Sequence, residues 1–190
     1  MLATFGFFPH AAQAQTAAAR PNIIFILADD LGYGELSSHG QQRYETPNID
    51  RLAAEGIRFT SHYSGAAICA PARAALMTGR HTGHTRVRNN FGNLDGRTGQ
   101  RIPLSPDETT VAEVMQGAGY RTALIGKWGI GEEGSGHEPW RRGFHFFYGY
   151  INQAHAHNHY PEFLYRNQIK EALIPNYSNE ERVYANDRFT

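Results

Sequence analysis

The 190-residue sequence contains a single cysteine, Cys69, so no internal disulfide can stabilise it. It also lacks an excess of charge, because eighteen basic side chains balance eighteen acidic ones. This balance gives no electrostatic reason to expect a nucleic acid or an anionic membrane surface as partner. No segment approaches the run of about twenty apolar residues that a membrane-spanning helix needs, so we expect no membrane span.

The composition that is present is typical of a globular protein. Hydrophobic residues make up 41% and charged residues 19% of the chain, which is long enough for one domain with its own core. Residues 1–20 differ, with an apolar stretch at 2–8 and the small-residue sequence Ala12-Gln13-Ala14. This pattern suits a signal peptide, with a disordered N-terminus as the alternative, and predicts a periplasmic or secreted protein.

Three segments resemble strands. Residues 23–28 form a continuous apolar run, typical of a buried central strand, and Asp29-Asp30 follow it directly. Residues 57–63 and 120–126 predict a second and a third strand. The third is expected to be short and buried, with Lys127 just beyond it.

Three segments between or after these strands resemble helices. Thr46 is a good N-cap for a helix that begins with Pro47 and ends near Gly56. Pro71 suits the first turn of a second helix that continues through Met77. A third helix is expected around residues 111–115, with its end at Gly117 or Gly119.

This alternation predicts an α/β domain with a largely parallel sheet. Ligands bind such sheets at the carboxyl ends of the strands, so we expect Asp29, Asp30, Cys69 and Lys127 to converge there. The segment 78–100 is expected to be a loop. Beyond Gly131 we expect mostly loops and short elements packed over the site.

The residues at these strand ends suggest specific chemistry. Two adjacent carboxylates repel each other, and a hard divalent cation, Ca²⁺ or Mg²⁺, relieves that repulsion; turn formation or helix capping is the alternative. Cys69 precedes a helix N-terminus, which attracts anions, and Arg73 is one turn later. Lys127 is placed to neutralise a bound anion or to assist a leaving group. The alternatives are a buried structural thiol and a solvated lysine.

Three motifs carry a family resemblance. The sequence ICAPARAALMTG, residues 68–79, matches the Cys-x-Pro-x-Arg signature of the type I sulfatases. GYRTALIGKWG, residues 119–129, resembles their second signature, and PNIIFILADDLGYGE, from Pro21, resembles their N-terminal metal-binding strand. The order and spacing of the three motifs agree with those of the family over roughly residues 21–160. The resemblance implies the α/β fold of the alkaline-phosphatase-like hydrolases, with residues 21–190 as the N-terminal portion of a sulfatase catalytic domain.

The resemblance also implies a mechanism. A formylglycine-generating enzyme would oxidise Cys69 to Cα-formylglycine, whose hydrated gem-diol form attacks the sulfur of a sulfate ester. The alcohol leaves, and the second hydroxyl then expels sulfate and restores the aldehyde. Asp29, Asp30 and residue 69 would hold Ca²⁺, with Mg²⁺ as the alternative. Arg73 would hold the gem-diol, and Lys127 would bind a sulfate oxygen of a sulfated small molecule or glycan.

The chain departs from the family pattern at two places. Gly129 stands where the second signature often has a histidine, and we assign its role to His155, with His157 and His159 as the other members of the pool. After Tyr160 the chain has no Asp-Asn or Asp-Gln pair that would complete the metal site, so we expect the C-terminal part of the domain to be missing. A phosphate or phosphonate monoester hydrolase, an inactive fragment that only binds sulfated ligands, and a cysteine hydrolase are the alternatives.

Overall fold

The computed structural model describes residues 20–94 and 96–173. These residues divide into two compact units, with the boundary after Glu55. The predicted signal peptide lies outside the described part except for Arg20. Among the helices of the described residues, none has both the length and the apolar character that crossing a bilayer requires.

The N-terminal unit contains the first predicted helix, α1, at Pro47–Glu55. Short 3₁₀ turns precede it at Tyr33–Glu35 and Ser37–His39. The Asp50 carboxylate joins the second turn to the helix, because it accepts hydrogen bonds from Ser37 Oγ over 2.7 Å and from Ser38 N over 2.8 Å. These hydrogen bonds lower the pKa of Asp50, the bond from Ser37 most. The prediction of α1 is confirmed.

Two of the three predicted strands are wrong. Neither residues 23–28 nor residues 57–63 belong to a strand, and their apolar side chains are exposed, with Ile24 at 87% and Ile57 at 82%. A strand exists only where a neighbouring strand satisfies its backbone groups, and the described residues provide none for these two segments. An apolar run alone was therefore not sufficient to predict a strand.

The second unit contains the remaining helices and all strands of the described residues. Its helices are α2 (Cys69–Thr78), α3 (Val111–Gly117) and α4 (Gln153–His157). Its strands are β1 (Gly92–Leu94), β2 (Arg97–Gln100), β3 (Ala123–Lys127), β4 (Phe146–Tyr150), β5 (Phe163–Arg166) and β6 (Ile169–Ala172). The predictions of α2, of α3 and of the third strand, β3, are confirmed.

The main sheet has four strands in the order β3-β4-β5-β6. Strands β3 and β4 are parallel, with Ala123 opposite Phe146 and Lys127 opposite Tyr150, whereas the other two pairings are antiparallel. The α/β class is confirmed, and the described sheet is mixed, with one parallel pairing. Strand β3 is less buried than expected, since Ile125 is 76% exposed.

Strands also occur within 78–100, which was expected to be a loop, and beyond Gly131, where mostly loops and short elements were expected. Strands β1 and β2 form a separate antiparallel pair within 78–100, and three of the four main-sheet strands lie beyond Gly131. Their short length and the glycine within β4, Gly149, hide the alternation that marks longer strands. The segment after Gly131 therefore supplies most of the main sheet, and β3 supplies the remaining strand.

The core of the second unit includes residues of α2 and of the sheet. The small residues Ala70 and Ala74 are almost fully buried, so α2 approaches the core closely along one face. Its other buried apolar residues are Val87, Leu104, Ala112, Trp128, Ile130, Phe144, Phe147, Ile151 and Tyr165. The helix that begins with Cys69 is thus packed into the core of the second unit.

Candidate functional site

Cys69 is the first residue of α2 and is half-buried. Ile68 occupies the N-cap position in an extended conformation, with φ −127° and ψ 159°, and Pro71 is buried in the first turn. The helix ends at Gly79, which adopts the left-handed φ of 65° and donates its N–H to the carbonyl of Ala75. The predicted placement of Cys69 at a helix N-terminus is confirmed.

Arg73 joins α2 to the end of β3. Its Nη1 donates a hydrogen bond to the carbonyl oxygen of Lys127 over 2.5 Å, across 54 positions of sequence. Both residues are half-buried. The structure therefore brings the Arg73 side chain to the backbone of Lys127. Arg73 itself lies one turn along α2 from Cys69.

Lys127 is the last residue of β3, and the chain directly after it is firmly held. The N–H of Trp128 donates to the carbonyl of Tyr150 over 2.8 Å, which continues the pairing with β4. The indole of Trp128 is buried, and its Nε1 donates to the carbonyl of His137 over 2.9 Å. These bonds fix the backbone on which the Lys127 ammonium is carried.

Gly129 has a structural reason to be glycine. Its φ is +73°, and a Cβ at this position would lie 3.0 Å from Nε2 and 3.1 Å from Cδ of Gln153. Gln153 is 2% exposed, and its Nε2 donates to the carbonyl of Gly129 over 3.3 Å. The Gln153 amide thus lies where the Cβ of any larger residue at position 129 would be placed. A histidine therefore does not fit there without rearrangement.

His155 lies in α4 beside the end of β4. Its ring centroid is 5.1 Å from that of Tyr150, the residue paired with Lys127, and 4.5 Å from that of Phe163. Burial lowers the pKa of His155 below its ordinary value, against the opposing effect of a hydrogen bond with the Phe163 backbone. Within the described part of the chain its buried Nε2 has no hydrogen-bond partner. His157 and His159 are exposed by contrast.

Asp29 and Asp30 belong to the N-terminal unit, where they form a bend and are exposed. Asp30 adopts a positive φ of 58°, which is uncommon for a residue other than glycine. Two adjacent carboxylates provide hard oxygen ligands, and this donor chemistry fits Ca²⁺ or Mg²⁺ better than a soft metal.

Comparison with known proteins shows the family to which the chain belongs. A family profile described as Sulfatase matches residues 21–188, which is most of the chain. The chain belongs to the sulfatase family. Arylsulfatase G of Rattus norvegicus is 43% identical over 147 residues, which cover 76% of this chain and 26% of that protein. Arylsulfatase A of Bos taurus is 47% identical over 135 residues, covering 70% of this chain and 26% of that protein.

Solved structures, one of them named a sulfatase, share the fold. The PsFucS1 sulfatase from Pseudoalteromonas sp. is 40% identical, with a TM-score of 0.55 over 66% of this chain and 25% of that one. Ps i-CgsB in complex with k-i-k-neocarrahexaose is 33% identical, with a TM-score of 0.56 over 65% of this chain and 26% of that one. The chain therefore has the alkaline-phosphatase-like α/β fold, and it spans about a quarter of the length of the curated relatives it matches.

Two contact residues of the site were not found by sequence reasoning. Asn90 accepts a hydrogen bond from the N–H of Ala70 over 3.0 Å, and Gln153 contacts Gly129. Both contacts join residues far apart in the chain, so no local pattern marks them. The glycine at position 129, where the family often has a histidine, could have suggested a close neighbour there, although it does not indicate which residue.

Proposed function

We propose that this sulfatase chain is the N-terminal portion of an arylsulfatase-like sulfuric ester hydrolase that uses a Cys69-derived formylglycine and Ca²⁺. The observation that carries the proposal is the hydrogen bond between Arg73 and the Lys127 carbonyl. It supports a common site for two cationic side chains and residue 69, the first residue of the same helix. A sulfate ester needs such an arrangement, because negative charge develops on its oxygens during the reaction.

The nucleophile in this proposal comes from Cys69 after oxidation by a formylglycine-generating enzyme. The hydrated aldehyde supplies a hydroxyl group for attack on sulfur. The half-buried position of Cys69 at the start of α2 supports this role, since helix N-terminal N–H groups favour an anionic neighbour.

The proposed metal ligands are Asp29, Asp30 and residue 69. The carboxylates of Asp29 and Asp30 fit Ca²⁺ by donor type, with Mg²⁺ as the alternative ion. When bound, the cation would act as a Lewis acid toward a sulfate oxygen and lower the pKa of a neighbouring hydroxyl.

Three side chains of this protein would take the other roles in catalysis. The Arg73 guanidinium, held by the Lys127 carbonyl, would orient the nucleophilic hydroxyl group. The Lys127 ammonium would bind a sulfate oxygen and stabilise the charge that develops there. His155 would accept or return a proton, because its lowered pKa keeps the imidazole neutral near pH 7 and its Nε2 lacks a partner among the described residues.

The substrate proposed for the whole enzyme is a sulfated small molecule or glycan. A solved relative, Ps i-CgsB, has a neocarrahexaose bound, which favours a sugar-like ligand for this family fold. We also propose export to the periplasm or secretion, which rests on the composition of residues 1–20.

Competitive kinetics test the proposed function. We expect the native enzyme to hydrolyse an aryl sulfate in preference to the matching aryl phosphate, and Lys127→Ala to lower kcat on the sulfate by about 10²-fold. Lys170→Ala is the matched control, since Lys170 lies on β6, pairs with Glu133 and is half-exposed. A preference for the phosphate would indicate a phosphate or phosphonate ester hydrolase. Binding of sulfated ligands without turnover would indicate a binding protein.

A further inference from the structure

A side chain from outside the helix accepts a hydrogen bond from the first turn of α2. The N–H of Ala70 donates to Oδ1 of Asn90 over 3.0 Å, although Asn90 lies 20 positions later. The first N–H groups of any helix have no partner within the helix, and a side-chain oxygen commonly supplies one. Ile68, at the N-cap position, has no such oxygen.

The other backbone groups of this turn do not need Asn90. Pro71 has no N–H to satisfy. The N–H of Ala72 donates to the carbonyl of Ile68 over 3.1 Å, as in an ordinary helix. Among the described residues, Asn90 is therefore the side chain that caps the turn beginning with Cys69.

The segment that carries Asn90 is anchored to the protein interior. The N–H of Arg86 donates to Oε1 of Glu108 over 2.8 Å, and Oε2 of the same carboxylate accepts from the N–H of Ser105 over 2.6 Å. Glu108 is 2% exposed, and Val87 is fully buried. Because Asn90 follows this anchored segment closely, its hydrogen bond can hold the helix turn in place.

We propose that Asn90 is a positioning residue that sets the location of residue 69 relative to Arg73. Arg73 is held separately, through the Lys127 carbonyl, so fraying of the first turn of α2 would move residue 69 while the guanidinium stays in place. A displacement of about 1 Å between reacting groups can cost about 10²-fold in rate. The catalytic consequence rests on the proposed function, whereas the hold of Asn90 on the turn does not.

The test compares Asn90→Ala and Asn90→Asp in the native enzyme, with Asn93→Ala as the matched control. Asn93 is an exposed asparagine in the neighbouring strand β1. Hydrogen–deuterium exchange at the Ala70 amide reports the turn directly. Values of kcat and KM on an aryl sulfate, corrected for the fraction of converted residue 69, report the catalytic effect.

We expect Asn90→Ala to accelerate exchange at Ala70 on the order of tenfold and to lower kcat on the order of tenfold, with a much smaller change in KM. Asn90→Asp keeps an acceptor oxygen, so it should restore protection of Ala70 and recover part of kcat. Its added negative charge should raise KM, because it repels the sulfate.

Several results would overturn the inference. Exchange at Ala70 in Asn90→Ala that matches Asn93→Ala would show that Asn90 does not hold the turn. Faster exchange with an unchanged kcat would show a structural role without positioning. If Asn90→Ala does not fold, the wild-type enzyme alone provides the test. Rapid exchange of its Ala70 amide would then contradict the proposed hydrogen bond to Asn90. A wild-type enzyme without sulfatase activity refutes the proposed function alone, and the exchange data still decide the role of Asn90.

Discussion

At the scale of single residues, contacts between distant positions hold the candidate site together. Asn90 accepts a hydrogen bond from Ala70, 20 positions away, and Gln153 lies against Gly129, 24 positions away. Local motifs made Cys69, Arg73 and Lys127 candidates for the site. They did not indicate Asn90 or Gln153, because such contacts are set by the tertiary fold.

The contact between Gly129 and Gln153 predicts an unusual sensitivity to a single methyl group. Gly129 and Gly99 both have φ of +73°, so alanine at either position costs about 1–2 kcal/mol for the left-handed conformation. At Gly129 the new Cβ also meets Gln153 at 3.0 Å, whereas at Gly99 no atom lies within 4 Å. We expect Gly129→Ala to lower the free energy of unfolding by about 1–3 kcal/mol more than Gly99→Ala.

Chemical denaturation of the two variants measures this difference. Equal losses of stability would show that Gln153 yields to the added methyl group without cost. In that case the Gln153 amide would not explain why glycine occupies position 129.

Helices were predicted better than strands for a physical reason. The signals at Thr46, Pro71 and Gly117 act within one or two turns, and all three helices begin or end near them. Strands depend on partners that are distant in sequence. For this reason the predictions of strands at 23–28 and 57–63 were wrong, and β4 was not predicted. The mixed pairing of the sheet could not be deduced from alternation alone.

The start of α3 illustrates how a local signal also serves tertiary structure. Thr110 Oγ1 accepts from the N–H of Glu113 over 3.2 Å and donates to the carbonyl of Arg142 over 2.8 Å. Thr110 is fully buried, so both bonds are shielded from water. The same hydroxyl caps the helix and joins it to the segment before β4.

Thr110→Ala should therefore destabilise the protein by about 1–3 kcal/mol, since it removes a cap and leaves a buried carbonyl without this donor. Thr109→Ala is the matched control, because Thr109 is the exposed neighbour, and its effect should stay within about 0.5 kcal/mol. Thermal or urea unfolding measures both variants. A loss in Thr109→Ala as large as in Thr110→Ala would contradict the capping role.

For the whole molecule, family membership follows from a match over most of the chain, while the chain spans about a quarter of its curated relatives. The sequence motifs gave the family and the fold class, and both are confirmed. The catalytic group proposed for residue 69 would arise by a covalent change after synthesis, which neither residue order nor backbone geometry reveals. In the proposal, that change distinguishes a working sulfatase from an unmodified thiol protein.

The mass of the peptide that contains residue 69, taken from the native enzyme, measures this change. Because Cys69 is the only cysteine of the sequence, reaction with an alkylating agent reports it without ambiguity. We predict that active enzyme has lost H₂S and gained one oxygen atom at residue 69, and that this peptide does not alkylate. An enzyme that cleaves sulfate esters at full rate while its Cys69 remains an alkylatable thiol would contradict the proposal.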